Sequence, residues 1–200
     1  MLEFINKYRK DIIIPSAVLL VICIVIPLAL ALTNMITEKR IAELEIENRN
    51  KTMSQLIDAD NFVVGTYKDA DTGEGFEYYI AENDGNTEGY VFITSDKGYG
   101  GDVSVMTAVE TDGTVMAVAI LDVSNETPGL GQNAAKESFY SQYAGKKSGI
   151  SLLKNGADSE NNEINAVTGA TVTSAAVTRA VNKALDNYNE LYAGLGGEAE

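Results

Sequence analysis

Apolar and polar residues follow three different rhythms along this chain. From Ile12 to Leu32 almost every position is apolar, and Ser16 is the one clearly polar residue. Twenty-one residues rising about 1.5 Å each span roughly 30 Å, the thickness of a bilayer's hydrocarbon core. Pro15 and Pro27 are tolerable in such a helix. Lys7, Arg9 and Lys10 precede the run, which by the positive-inside rule keeps the N-terminus cytoplasmic, although Lys39 and Arg40 weaken the asymmetry. The reading is a cytoplasmic segment 1–11, then one membrane-spanning helix over 12–36. A signal peptide cut at Ala29-Leu30-Ala31 is the alternative. A lipoprotein would need a small residue before Cys23, where Ile22 stands.

Residues 37–57 keep a helical rhythm but become charged, with Ile41, Leu44, Met53, Leu56 and Ile57 among Glu, Lys, Arg and Asn. They read as a stalk that continues the helix and packs partly on the domain beyond it. From Asn61 the pattern shortens to β-rich runs: Phe62 to Lys68, Phe76 to Glu82, Gly89 to Thr94, Asp102 to Glu110 and Thr114 to Asp122. Asp112-Gly113 between the last two is a hairpin signal. Ala135, Phe139 and Tyr143 recur every fourth residue and predict a helix over Gln132 to Tyr143. Lys146 to Asn162 reads as loop with a short apolar element at Ile150 to Leu153. From Val177 the apolar positions Ala180, Val181, Ala184, Leu185, Tyr188, Leu191 and Tyr192 form one helical face, with Arg179, Lys183, Asp186 and Asn187 opposite. The expected fold is α+β: an antiparallel sheet with flanking helices in one domain, 58–192, before a frayed tail, 193–200.

Composition narrows the chemistry. A net charge of −14 and an isoelectric point near 4.4 exclude nucleic acid as a partner. Acidic residues outnumber basic ones nearly three to one after Leu56, which makes the folded part a solvated acidic surface. There is no histidine, and the single cysteine lies in the apolar run. Imidazole metal sites, cysteine-bound clusters, intrachain disulfides and histidine-based catalysis are therefore excluded. Redox chemistry here would need a borrowed cofactor.

The chain is organised around Asn165-Ala166-Val167-Thr168-Gly169-Ala170-Thr171-Val172-Thr173-Ser174. Thr171 stands where a glycine-containing turn passes into the last helix, and Thr173 and Ser174 add two hydroxyls there. Unsatisfied amides and the positive dipole end favour a phosphate at such a terminus. The plain reading of a lone Thr-Gly-Ala-Thr is an N-cap. Likewise Gly98-Tyr99-Gly100-Gly101 alone is a glycine turn, and Glu126-Thr127-Pro128-Gly129-Leu130-Gly131 alone is a strand-to-helix connection. Lys146, Lys147 and Lys154 could reach a phosphate, but loop lysines are more often only solvated.

Read together and in order, the three segments resemble the FMN-binding domain family, with Thr168 to Ser174 matching its flavinylation signature. The resemblance implies that a separate flavin transferase esterifies Thr171 to the phosphate of FMN. It implies an environment for the covalent FMN formed by Thr168, Gly169, Ala170, Thr173 and Ser174. It also implies polar ring contacts from Glu126 and Thr127, packing by Leu130, and a close approach at Tyr99 and Gly100, with Lys146 a lesser candidate. The family usually carries Asp at the place of Asn165. The whole arrangement also resembles the G-subunit family of Rnf complexes, which move electrons between ferredoxin and NAD and couple this to ion movement. Partners would then be the other membrane and peripheral Rnf subunits and the lipid bilayer. The chain would be one redox subunit, with its FMN domain outside the cytoplasm, rather than a complete enzyme. The related C-type component of the sodium-pumping NADH:quinone reductase is the near alternative. A membrane-tethered interaction module without redox chemistry is the distant one.

Overall fold

The computed structural model describes residues 12–69, 73 and 75–194; the expected cytoplasmic segment 1–11 and residues 195–200 of the tail lie outside them. The described chain divides after Asn48 into two compact units. Helix α1, Ile14–Leu56, runs without interruption through the expected span and stalk, with Pro27 inside it. Its midsection carries hydroxyls that fold back onto the helix: Thr33 Oγ1 donates to the Ala29 carbonyl at 2.9 Å, and Thr37 Oγ1 to that of Thr33 at 3.0 Å. Such back-bonding satisfies polar side chains without leaving the helix surface. Among the described residues this is the one helix long and apolar enough to cross a membrane.

The second unit is built on a five-stranded antiparallel meander in sequence order. Its strands are β1 (Asn61–Lys68), β2 (Gly75–Asn83), β3 (Asn86–Lys97), β4 (Asp102–Glu110) and β5 (Val115–Asp122). The β2–β3 turn is the two-residue Asp84-Gly85, both at positive φ (50° and 80°), which matches the twist of the flanking strands. At β4–β5, Asp112 Oδ1 accepts from the Thr114 amide at 2.8 Å, and Gly113 takes φ +83°. The expected hairpin signal thus acts as a side-chain-closed turn.

The sheet's pleat sends alternate residues to opposite faces, and each face is covered. On one side Phe92, Val103, Val105, Val109, Val115 and Val118 pack with Ala176, Val177, Ala180, Val181, Ala184, Leu185, Tyr188 and Leu191. These last eight belong to helix α3, Thr171–Gly194, and are nearly the face expected for it. Thr94 Oγ1, buried, donates to the Ala180 carbonyl at 2.7 Å and pins the helix to β3. On the other side Met53 and Ile57, from the last turns of α1 and just beyond, cover Tyr79, Ala81, Val91, Met106 and Ala108. Full burial of one such Val or Leu contributes about 1.5–3 kcal/mol.

Between β5 and α3 the structure departs from the expected helix over Gln132 to Tyr143. It shows a 3₁₀ turn, Gly131–Ala135, the one-turn helix α2, Glu137–Tyr140, and a second 3₁₀ turn, Ser141–Tyr143. Lys136, extended at φ −81° and ψ 140°, breaks the run. The break shifts the register, so Ala134 is buried and Ala135 exposed, while Phe139 and Tyr143 still enter the core edge to face at 5.7 Å. Within 146–162 the short apolar element expected at Ile150 to Leu153 is strand β6, Ser151–Leu153, which pairs in parallel with β7, Glu163–Asn165. A three-residue strand such as β7 leaves too short a pattern to read.

Candidate functional site

The three glycine-bearing segments, far apart in sequence, converge on one buried carboxylate. Gly98-Tyr99-Gly100-Gly101 is the hairpin loop between β3 and β4, closed by a 2.8 Å bond from the Gly98 amide to the Gly101 carbonyl. Glu126, 2 % exposed, lies beneath it. Its Oε1 accepts from the Gly100 amide at 2.9 Å, and its Oε2 accepts from Thr173 Oγ1 at 2.5 Å. Burial alone would raise its pKa. The Thr173 hydroxyl and the amides of Gly100, Gly101 and Tyr99 together outweigh burial and hold the carboxyl below its ordinary range.

This carboxylate explains glycines that turn geometry does not. Gly98, Gly100 and Gly101 have no positive φ to account for them. A Cβ on Gly98 would overlap Glu126 Oε1, and one on Gly100 would overlap the Asn125 carbonyl oxygen. A Cβ on Gly131 would lie 2.6 Å from Glu126 Oε2 and 2.9 Å from Thr173 Oγ1. Gly98 and Gly131 make room for the Glu126 carboxylate, and Gly100 and Gly101 for Asn125 before it.

The signature segment forms the next layer. The Ala170 carbonyl accepts from the Ser174 amide at 2.9 Å, so Ala170 occupies the N-cap position and Thr171 is the first helical residue. Ser174 Oγ donates to the Ala170 carbonyl and accepts from the Val167 amide, both at 2.9 Å, which fixes the turn entering α3. Gly169 takes φ +78°, where a side chain would be strained. The hydroxyls therefore divide. Thr173 and Ser174 are buried and bonded, whereas Thr171 is exposed and caps nothing.

Thr171 opens into a cavity of about 570 Å³. Its walls are Tyr99, Glu126, Thr127, Leu130, Gly131 and the continuous stretch from Gly169 to Thr173. At its mouth Tyr99, Leu130 and Val172 are 76 %, 45 % and 52 % exposed. A cavity of this size with apolar rims and a few fixed polar groups has the form of a cofactor site. The expected residues Tyr99, Glu126, Thr127, Leu130, Gly169, Ala170, Thr171 and Thr173 all meet there, and Gly100 adjoins through Glu126. Gly131 and Val172 line it too and were not singled out from sequence, though each sits inside a recognised segment.

Three expected residues stand elsewhere, Ser174 being buried in the turn that enters α3. Thr168 turns away into a neighbouring cavity of about 430 Å³, beside Lys136, Gln142 and Asn165. Lys146 is buried and its ammonium donates to the Ser159 carbonyl at 2.6 Å and to Ser159 Oγ at 3.1 Å. It is a strut for the loop before β7 and does not line the Thr171 cavity. Asn165, on β7, accepts from the Ala157 amide at 3.0 Å through Oδ1, a bond that an aspartate could equally accept. Among the described residues no cluster of acidic, histidine or cysteine side chains could hold a metal.

The fold and the cavity define an FMN-binding domain. The model of the family described as FMN-binding domain matches residues 98–186, a stretch that opens at the β3–β4 loop and contains all three segments. The chain is 34 % identical over 192 residues to the G subunit of the proton-translocating ferredoxin:NAD(+) oxidoreductase complex of Clostridium ljungdahlii, covering 94 % of this chain and 98 % of that one. It is 34 % identical over 188 residues to the G subunit of the Na(+)-translocating complex of Acetobacterium woodii, covering 87 % and 90 %. The chain belongs to the G-subunit family of the ion-translocating ferredoxin:NAD(+) oxidoreductase (Rnf) complexes. Among solved structures, the C-type component of the Na(+)-translocating NADH-quinone reductase from Parabacteroides distasonis shares the fold at a TM-score of 0.54 and 20 % identity, covering 64 % of this chain and 75 % of that one. NqrC of Shewanella oneidensis does so at 0.54 and 23 %, covering 69 % and 72 %.

Proposed function

We propose that this chain is the membrane-anchored electron-relay subunit of an ion-translocating ferredoxin:NAD oxidoreductase complex, carrying FMN through a phosphoester on Thr171. The observation that carries the assignment to Thr171 is the division of the hydroxyls. Within the segment after Gly169, Thr171 alone offers an exposed hydroxyl to the cavity, while Thr173 and Ser174 are committed to internal bonds. Thr168, also exposed, faces the other cavity.

The residues present suit the cofactor. The first amides of α3 have no intrahelical acceptor and, with the positive dipole end, favour the single negative charge of a phosphodiester. Tyr99, Leu130 and Val172 offer apolar surface for a planar ring, and Thr127 a polar contact at the rim. When bound, FMN supplies the redox chemistry that no side chain here can. A covalent tether also removes loss by dissociation outside the cytoplasm.

Attachment needs help. A threonine hydroxyl is a poor nucleophile without an adjacent base. The carboxylate nearest in the cavity wall, Glu126, has both oxygens committed. A separate flavin transferase fits this arrangement. The remaining assignments rest on the same reading: residues 1–11 cytoplasmic, 12–36 in the bilayer, 37–57 a stalk, 58–192 the extracytoplasmic FMN domain and 193–200 a tail. The other Rnf subunits are the partners.

The test is an intact-mass spectrum of the denatured full chain, co-produced with an active flavin transferase, beside Thr171→Ala and Thr168→Ala. The mass of FMN less water is expected on the wild type and on T168A and absent from T171A. An adduct that survives in T171A, or disappears in T168A alone, would reassign the site.

A further inference from the structure

Glu126 is more than a clamp for the loops. It is a carboxylate 2 % exposed, and it has no basic side chain bonded to it. Its partners are a hydroxyl and backbone amides, neutral groups that fix a negative charge without cancelling it. It also lines the same cavity as Thr171. Surface carboxylates are plentiful on this acidic domain, but salt and water screen them; a buried charge is screened far less. Both oxygens point into the clamp, so the side chain acts on the cavity's occupant through its field.

We propose that Glu126 is a fixed buried charge that makes the flavin held on Thr171 harder to reduce, setting the potential at which this subunit accepts electrons. The inference rests on the FMN assignment above. Reduction adds electron density to the ring system, and a permanent negative charge in the cavity wall opposes it by Coulomb repulsion. Because Gly98 and Gly131 leave room for the carboxylate, and Thr173 and the Gly100 amide bond it, the three sequence segments serve the potential of the site as well as its shape.

The experiment is a spectroelectrochemical titration of the FMN-loaded full chain, wild type against Glu126→Gln and Thr173→Val. Glutamine is isosteric, still accepts from the Gly100 amide and can donate to Thr173 Oγ1, so the clamp persists without its charge. At a fixed ambient potential E126Q is expected to raise the reduced-to-oxidised ratio about tenfold, 29.6 mV for a two-electron couple. T173V, which loosens the clamp but keeps the charge, should shift the ratio less than E126Q does. A wild-type potential in E126Q overturns the proposal. So does a T173V shift as large as that of E126Q, which would trace the effect to geometry. An E126Q chain that folds but takes up no flavin also overturns it, since the carboxylate would then be serving attachment. If E126Q cannot be folded, Thr127→Lys places an opposing charge on the exposed rim of the same cavity. At low salt it should raise the ratio, and no change there sinks the proposal. A wild type that carries no FMN is a different result and counts against the functional assignment itself.

Discussion

Thr173 Oγ1 lies 2.5 Å from Glu126 Oε2, across 47 residues of chain, with both side chains buried. This one bond joins the first turn of α3 to the segment after β5, and through the Gly100 amide to the β3–β4 loop. A hydrogen bond to a charged group contributes about 1.5–3 kcal/mol, and more is lost when the charge stays buried. Thr173→Val should therefore destabilise the domain by about 2–3 kcal/mol, lowering Tm by roughly 5–10 °C for a domain of this size. Differential scanning calorimetry of the full chain in detergent checks this, and an unchanged Tm would mean the bond contributes little.

Acid should weaken the same place. The folded-state pKa of Glu126 is lowered from an ordinary value near 4.5, so its ionised form contributes stability that is complete above that value. That contribution is lost as the pH falls through the lowered folded value. Asp96, lowered chiefly by its hydrogen bond from Arg179, titrates with the same sign, but it is an exposed pair and contributes little. Melting curves from pH 7 down to pH 3 should fall more steeply for the wild type than for E126Q. Parallel curves would remove Glu126 from the acid response.

Gly100→Ala should be costly although the backbone there is not left-handed. Its Cβ would strike the Asn125 carbonyl, a backbone atom that cannot rotate away. Overpacking of this kind typically costs about 1–3 kcal/mol. The same change at Gly149, a surface glycine with φ +84° and open space around it, would strain the backbone alone. Chemical denaturation of the two variants tests the distinction: G100A should also lower the fraction of chains carrying FMN, and G149A should not.

Lys146→Ala separates a strut from a ligand. Removal of its two bonds to Ser159 should lower stability by about 1–3 kcal/mol. FMN loading, read by intact mass, should stay at the wild-type level because the side chain does not line the cavity. A loss of flavin without a loss of stability would restore Lys146 to the site.

Much of this molecule is dictated by pattern alone. The run from Ile12 to Leu32, apolar but for Ser16, can only be satisfied by lipid or a large core, and helix α1 leaves that run exposed. The face from Val177 to Leu191 recurs at helical spacing, so its burial against the sheet is legible before any coordinates. Asp-Gly marks where hairpins close, as Asp84-Gly85 and Asp112-Gly113 show, each with its glycine at positive φ. The segments around Gly98, Glu126 and Thr171 are recognisable as strings for the same reason: each has a composition that few local structures need.

What the strings do for one another was settled only by packing. Nothing local to Gly98 says that a carboxylate from another segment needs the space a Cβ would fill. Nothing in Thr171-Val172-Thr173-Ser174 says which hydroxyl is spent inside, because helical rotation sends Thr171 to the cavity and Thr173 to Glu126. Lys146 looked free beside other loop lysines until the 146–165 segment folded back and gave it Ser159. Helix α2 shortened to one turn because Lys136 is extended, a choice made by the core that Phe139 and Tyr143 enter. Local sequence sets rhythm and turn chemistry through short-range sterics; the partners of buried polar groups are set by long-range packing, where residues 47 positions apart become neighbours.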